Sequence, residues 1–440
     1  MSFKQMKKKI QQAFIETINR EYLKCAACGE CRMVCPVYGV EGVERSVARG
    51  RLALAKALAD GDLELTDRVQ SSFDNCLLCM ACVENCAGHV DMVEVVLKSR
   101  AYVASLRGLP KVKALAFKAL GTDRKYQDLG AAGARAVQSV CTAALPENSG
   151  LRLKLARLNY PTLPPLAKRP FIGSQDRVYG ADKRQKVVLF VGCAGNYIFD
   201  DIPRKTVELL NALDVGVIVL SHQGCCGAPV QAHGDLRSLE TLVVNNVQVL
   251  SDSEFMDYPI VTICSSGGLM LKQHYPRILL QTPFEKQAKA LSCRTMDISQ
   301  YLADWIGIDT IKSKIKHKIP HTLTYHDPCH LGRGQGVTTQ PRALLKAVCD
   351  HYAEMPDAGS CCGLGGTYGL SHTDVSRQIL DKKTNNIAAM DKVPTRLATG
   401  CPACIMQLTH GLARTIPDME VAHTVHYLWQ ALICSDPCRS

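Results

Sequence analysis

Eight cysteines in two short stretches pose the first chemical question. Residues 24–39 read KCAACGECRMVCPVYG, with Cys25, Cys28, Cys31 and Cys35; residues 73–90 read FDNCLLCMACVENCAGHV, with Cys76, Cys79, Cys82 and Cys86. Both follow C-x2-C-x2-C-x3-C. Two-residue gaps in a tight loop let three sulfurs reach three corners of one iron–sulfur cubane, while the fourth cysteine, on a departing helix, points at a neighbouring cluster. On that rule Cys25, Cys28, Cys31 and Cys86 hold one [4Fe-4S] cluster, and Cys76, Cys79, Cys82 and Cys35 hold the other. A pair of zinc sites would use C-x2-C plus C-x2-C and leave the x3 cysteines without a role. Ala87 stands where Pro36 follows the first motif. A proline there shapes the exit loop but ligates nothing, so the ligand set is untouched.

A second group of cysteines recurs in register. Cys193 is followed by the pair Cys225 and Cys226 in GCCGAP, then by Cys264 in CSSG. Cys329, after TLTYHDP, is followed by Cys361 and Cys362 in SCCGLGG, then by Cys401 and Cys404 in CPAC. Each set reads C-x31-CCG, followed by a fourth cysteine after 37 or 38 residues. Such register over so long a span is an internal duplication. Gly267 stands in the first repeat where Cys404 stands in the second.

The elements that must position these thiols follow from periodicity. Between Cys35 and Cys76, SVARGRLALAKALADG (46–61) places Leu52, Leu54 and Leu58 at helical spacing and ends on Gly61. The cluster pair therefore sits in a mostly helical module. Arg45, Arg49 and Arg51 either donate hydrogen bonds toward anionic clusters or cap the helix surface. The first 24 residues alternate Lys7, Lys8 and Lys9 with Ile10, Phe14, Ile15 and Ile18, a basic amphipathic helix that docks on the chain's own core or touches an anionic membrane surface. A proline-rich stretch, NYPTLPPLAKRP (159–170), reads as a linker. Beyond it, KVVLFVGC is a buried strand delivering Cys193 at its carboxyl end. Each repeat then reads strand, cysteine, helix, strand, cysteine pair, helix, strand, cysteine, which implies two α/β units with thiols at strand ends and loops. Gly227, Gly363, Gly365 and Gly366 fit positions where backbone approaches a cluster and points N–H groups at sulfur. The expected class is α+β, with a helical two-cluster domain (1–100), a connector and linker (101–185), and two α/β domains (186–318 and 319–440).

Composition sets the environment. The chain has 440 residues, 22 of them cysteine, and a formal charge of +11. No apolar run is long enough to span a membrane and no export signal is visible, so a reducing cytoplasm is expected, with peripheral contact on the inner face of the cytoplasmic membrane as its variant. In that compartment cysteines are metal ligands before they are disulfides. Iron-bound thiolates cancel much of the positive charge, and the basic residues are scattered, as in KSKIKHK (312–318), so nucleic acid is not an expected partner. Cys141, Cys293 and Cys349 have no partner spacing and read as buried or inert thiols. Cys434 and Cys438, with His423 and His426, offer either a metal site or a helix end with incidental thiols. His326, His330 and His372 lie beside candidate ligand cysteines and either hydrogen-bond to that shell or play no part in it. LGRGQG (331–336) lacks the glycine order of a dinucleotide loop, and no phosphate-cradling or flavin fingerprint occurs.

The C-x31-CCG pattern with a terminal C-x2-C resembles the cysteine-rich CCG domains of heterodisulfide reductases. With two ferredoxin motifs in front, the chain resembles the iron–sulfur subunit of glycolate oxidase, close to the lactate-utilisation and anaerobic glycerol-3-phosphate dehydrogenase iron–sulfur subunits. YHDPCHLGRG and CCGLGGTYGLSH carry the likeness, which is weakest between residues 100 and 185. The resemblance implies a one-electron carrier that takes electrons from a separate flavoprotein and passes them to a quinone or another carrier. It implies a noncubane [4Fe-4S] cluster on Cys329, Cys361, Cys362, Cys401 and Cys404. For Cys193, Cys225, Cys226 and Cys264 the alternatives are a further four-thiolate cluster or a purely structural repeat. The implied function is the electron-transfer subunit of a glycolate or D-lactate dehydrogenase, with disulfide reduction at the noncubane cluster, or glycerol-3-phosphate as the partner's substrate, as alternatives.

Overall fold

A computed structural model describes residues 3–121, 124–143 and 165–435. Cys438, the side chain of Cys141 and residues 159–164 of the proline-rich stretch lie outside the described residues. The chain divides into two compact units: Met1–Lys118 with Gly227–Leu239 and Cys361–Asp381, and Ala119–Cys226 with Glu240–Ser360 and Lys382–Ser440.

The first unit is helical. Helices Phe3–Tyr22, Ala48–Asp60, Asp67–Asp74 and Met92–Arg107 bury Phe14, Ile18, Leu52, Ala55, Phe73, Val95 and Val96 in one core. Each such side chain removed from water contributes about 1.5–3 kcal/mol, less for Ala55. Phe14 stacks on Tyr102 with ring centroids 4.5 Å apart, so the apolar face of the first helix is used within the unit, while Lys8 and Lys9 are exposed. Local chemistry sets the helix ends. Thr66 accepts a hydrogen bond from the Val69 N–H, Asp91 accepts one from Glu94, and Gly61 closes Ala48–Asp60 at φ 84°. Among the described residues no helix is long and apolar enough to cross a membrane.

The second unit holds two sheets. The strands are β1 (Arg177–Tyr179), β2 (Gln185–Phe190), β3 (Val215–Val219), β4 (Ile260–Thr262) and β5 (Thr295–Asp297), then β6 (Ile319–His326), β7 (Cys349–Tyr352), β8 (Arg396–Thr399) and β9 (Glu420–His423). Their orders are β1-β3-β2-β4-β5 and β7-β6-β8-β9, parallel except for β1. Without β1 the first sheet repeats the second strand for strand, so the cysteine duplication is a duplication of topology. Sequence periodicity supplies three strands per repeat; the fourth strands, β5 and β9, are three and four residues long, too short to show a period. One hydrophobic core spans both repeats, from Val187, Leu189 and Val217 to Leu323, Tyr427 and Leu428. Helix Asp201–Ala212 packs on helix Thr424–Leu432, where the Trp429 indole N–H donates to Glu208 at 2.6 Å.

Candidate iron–sulfur centres

In the first unit both cysteine loops take the same backbone path. Ala27 and Gly29 (φ 53° and 91°) match Leu78 and Met80 (φ 55° and 63°), all left-handed. Three of the four are not glycine, and each such residue costs on the order of 1–2 kcal/mol, strain that a loop keeps when bound ligands fix its shape. Cys35, Cys76, Cys79 and Cys82 line one cavity together with Pro36 and Arg51. Burial, reinforced by the charges of Cys76, Cys79 and Cys35, pushes the Cys82 thiol well up. Burial also raises Cys35, against the Tyr38 N–H at 3.5 Å and the Arg51 charge. Thiols in this state become ligands when a cation replaces their protons. Cys86 returns toward the other loop: a Cβ on Gly88 would lie 2.2 Å from the carbonyl oxygen of Lys24, the residue before Cys25. Cys28 is exposed and Cys79 buried, so the two sites differ in solvent access.

Two arginines hold the approach to Cys76. Arg51 is buried and donates to the carbonyls of Ser72 (2.8 Å) and Asn75. Arg100, 7% exposed, donates to Phe73 (2.9 Å), Asp74 (2.9 Å), Cys76 (2.7 Å) and Ala232 (3.0 Å). Both serve backbone carbonyls rather than sulfur. Arg49 donates to the Ala27 carbonyl at 2.8 Å and pairs with Glu44. Arg100 escaped the sequence reading, because an arginine on a helix is usually a solvated one.

A cleft of about 350 Å³ in this unit is lined by Asp74, Arg100, Lys113, His233, Tyr368 and His372. Tyr368 donates to Asn75 Oδ1 at 2.8 Å, so the cleft wall touches the residue before Cys76. Burial, aided by Lys113 and Arg100, lowers His233 to about 4; burial also lowers His372, which stacks on Tyr368 at 4.5 Å. Cys361 and Cys362, both buried, belong to the same unit. Gly363 donates its N–H to Cys361 Sγ at 3.4 Å, at φ 90°, and a Cβ there would meet the Ser376 carbonyl at 2.7 Å. Gly227, Gly365 and Gly366 also have positive φ.

In the second unit the cysteines gather where strands end and helices begin. Cys193 lies in helix Gly192–Tyr197 after β2, Cys264 precedes Ser265–Leu269 after β4, Cys329 opens Cys329–Gln335 after β6, and Cys401 precedes Pro402–Thr415 after β8. The helices pack crosswise: Ser265–Leu269 meets Cys329–Gln335, and Gly192–Tyr197 meets Pro402–Thr415. Gln335 donates to the Ser265 carbonyl at 2.9 Å, and Ser265 donates to the Gly400 carbonyl at 2.7 Å. The segment LGRGQG is therefore helix and interface, not a phosphate loop.

This crosswise packing brings sulfurs together. Cys225 Sγ lies 3.9 Å from Cys193 Sγ. Cys264 is hydrogen-bonded to Cys401, its counterpart in the other repeat, and also feels Cys193. Hydrogen bonds from the thiols of Cys264 and Cys404, joined by the Ala403 and Cys404 amides, hold Cys401 well below the usual thiol range; Cys264 is pushed up. Thiol contacts thus join Cys225 to Cys193, and Cys264 to Cys401 and Cys404. The pair Cys225–Cys226 is fixed by Asn246 donating to the Cys225 carbonyl (2.8 Å) and Tyr275 donating to that of Cys226 (3.1 Å).

The repeats differ in what surrounds the sulfurs. Around Cys401 and Cys404, the buried atoms Tyr325 Oη, His326 Nδ1, Thr399 Oγ1, His423 Nε2 and Asp297 Oδ2 have no hydrogen-bond partner. Burial, with Cys401 adding to it, raises Asp297 to about 7. Buried polar atoms are rarely left bare, so this shell fits a bound group with polar and metal character. The polar residues by Cys225 and Cys226, namely Gln223, Asn246 and Tyr275, are satisfied within the fold. The remaining candidates are placed elsewhere. His330 pairs with Ser266 at 3.0 Å, and His426 sits between Lys205 and Glu420. Cys349 is buried at the start of β7 and Cys293 is exposed.

Comparison with known proteins fits this layout. A 4Fe-4S dicluster domain matches residues 21–90, and a cysteine-rich domain matches twice, over 187–272 and 323–409. The chain thus joins one 4Fe-4S dicluster match to a cysteine-rich match that occurs twice. Over nearly its whole length it resembles the "probable glycolate oxidase iron-sulfur subunit" of Bacillus subtilis, with 26% identity over 429 residues, 92% of this chain and 93% of that one. It is 28% identical over 245 residues to lactate utilization protein A of Oceanobacillus iheyensis, covering 55% of this chain and 96% of the relative. It is 30% identical over 251 residues to one subunit of the fumarate reductase (CoM/CoB) of Methanothermobacter marburgensis, matching 57% of this chain but 47% of that one.

Proposed function

We propose that the chain is the electron-transfer subunit of a flavin-dependent 2-hydroxy-acid dehydrogenase acting on glycolate or D-lactate. The observation that carries this reading is the gathering of thiols in the second unit, Cys225 with Cys193 and Cys264 with Cys401 and Cys404, in a chain that also holds a dicluster domain. The near full-length likeness to a glycolate oxidase iron–sulfur subunit supports it, and the name of that relative points to a partner subunit. In this reading Cys25, Cys28, Cys31 and Cys86 hold one cubane, and Cys35, Cys76, Cys79 and Cys82 the other. Cys329, Cys361, Cys362, Cys401 and Cys404 hold a noncubane cluster, and Cys193, Cys225, Cys226 and Cys264 a further one. Bound clusters supply one-electron steps. The chain's own residues fix thiolates, exclude water and set the local charge. A quinone or another small carrier meets the chain at the cleft of Arg100, His233 and His372, whose wall reaches Cys76.

A second reading, reduction of a disulfide at the second-repeat centre, draws on the bare polar atoms around Cys401 and Cys404. Gly267 weighs against it, since the first repeat lacks a fifth thiol. Glycerol-3-phosphate as substrate changes the partner and not this chain.

The test is turnover with a redox dye. The anaerobically prepared iron-loaded chain alone is expected to show no glycolate- or D-lactate-dependent reduction, and activity is expected once a flavoprotein dehydrogenase is added. Robust turnover by the chain alone would sink the relay.

A further inference from the structure

The duplication allows a comparison of the two repeats position by position. Phe190 ends β2 three residues before Cys193, and His326 ends β6 three residues before Cys329. Gly267 follows Cys264 by three residues, as Cys404 follows Cys401. The two positions face each other in both repeats. In the second, a ring nitrogen of His326 lies within 4.8 Å of Cys404 Sγ. In the first, the Phe190 ring comes within 3.6 Å of where a Cβ on Gly267 would stand. The pair His326 and Cys404 is thus replaced as a pair, by Phe190 and Gly267.

His326 is 1% exposed and its Nδ1 has no hydrogen-bond partner, while the ring is hydrogen-bonded to the Ala358 backbone. With Nδ1 bare, that bond belongs to Nε2, whose N–H donates to the carbonyl. This fixes the tautomer and leaves the Nδ1 lone pair unshared, on a buried ring with a nitrogen within 4.8 Å of Cys404 Sγ. A histidine that ligates a metal is typically held in this way, its second nitrogen donating to a backbone carbonyl. Metal–nitrogen and metal–sulfur lengths of about 2.1 and 2.3 Å allow two ligands of one ion to stand up to roughly 4.4 Å apart, a span that small side-chain adjustment reaches here.

We infer that His326 ligates iron through Nδ1 in the second-repeat centre, making it a mixed nitrogen–sulfur site, whereas Phe190 leaves the first repeat to sulfur alone. This rests on the proposal that the second repeat holds a cluster. The nitrogen is a neutral donor added to the thiolates of the second repeat, so it supplies a ligand without a further negative charge.

The experiment is pulsed electron paramagnetic resonance on the full-length iron-loaded chain, reduced stepwise, with natural-abundance and 15N-histidine protein compared. Expected is a strong nitrogen coupling that changes with the label and is lost in His326→Phe. His326→Phe places the first repeat's own residue at this site, and the wild-type spectrum alone already decides whether nitrogen is bound. A second-repeat signal without histidine coupling, or one that keeps it in His326→Phe, overturns the ligation and leaves the cluster reading standing. Iron no greater than the dicluster domain binds overturns both.

Discussion

Replacing Cys404 with serine is expected to remove the second-repeat centre while both dicluster-domain clusters keep their spectra. Cys404 is buried and its thiol helps hold Cys401 as a thiolate, so its loss removes a ligand and raises its neighbour's proton affinity. Iron content should fall by about four per chain, the complement of one [4Fe-4S] cluster. Electron flow from the flavoprotein to a quinone analogue should fall at least about tenfold, since even indirect support of a metal site is worth that much. Anaerobic iron counting and stopped-flow reduction check both. Unchanged iron would remove Cys404 from the ligand set. Loss of disulfide reduction with quinone reduction intact would move the chain to the second reading.

Arg100→Met is expected to destabilise the helical unit by about 3 kcal/mol or more, because it strips donors from several carbonyls at once and each buried orphan costs about 1–3 kcal/mol. For a unit of this size that is a fall of roughly 6–12 °C in Tm. The loop entering at Cys76 should loosen with it, so cluster loss on heating should precede global unfolding. Arg100→Lys keeps the charge but not the fork of five donors, and should recover less than half of the loss. Calorimetry of the iron-loaded chain decides the matter, and a Tm within a degree of wild type for Arg100→Met would show that the carbonyls find other donors.

Much of this was legible in the residues. The eight motif cysteines and the C-x31-CCG register name the thiols that the fold places at loops and strand ends, and the duplication of spacing is a duplication of strand order. The glycines after the cysteine pairs do adopt positive φ, a demand of turn chemistry that sequence exposes directly. What stayed hidden depends on long-range closure. Nothing in a linear string says that Cys264 meets Cys401, because the crosswise packing of short helices creates that contact. Arg100 reads as a surface residue until the ends of Asp67–Asp74 arrive beside it. Cys361–Asp381 grouping with the helical unit cuts across an α/β repeat that periodicity treats as one piece. His326 was half legible: its nearness to Cys329 is sequential, but its bare Nδ1 and its exchange with Phe190 need both repeats in three dimensions.

The most direct measurement is anaerobic affinity purification of the iron-loaded chain from its native host, with every co-purifying polypeptide and bound flavin identified. A flavoprotein in stoichiometric yield, whose flavin is bleached by glycolate or D-lactate and whose electrons then appear in this chain's clusters, is the expected result. A membrane haem subunit with no flavoprotein would contradict the relay, and the chemistry would then belong to the second-repeat centre itself.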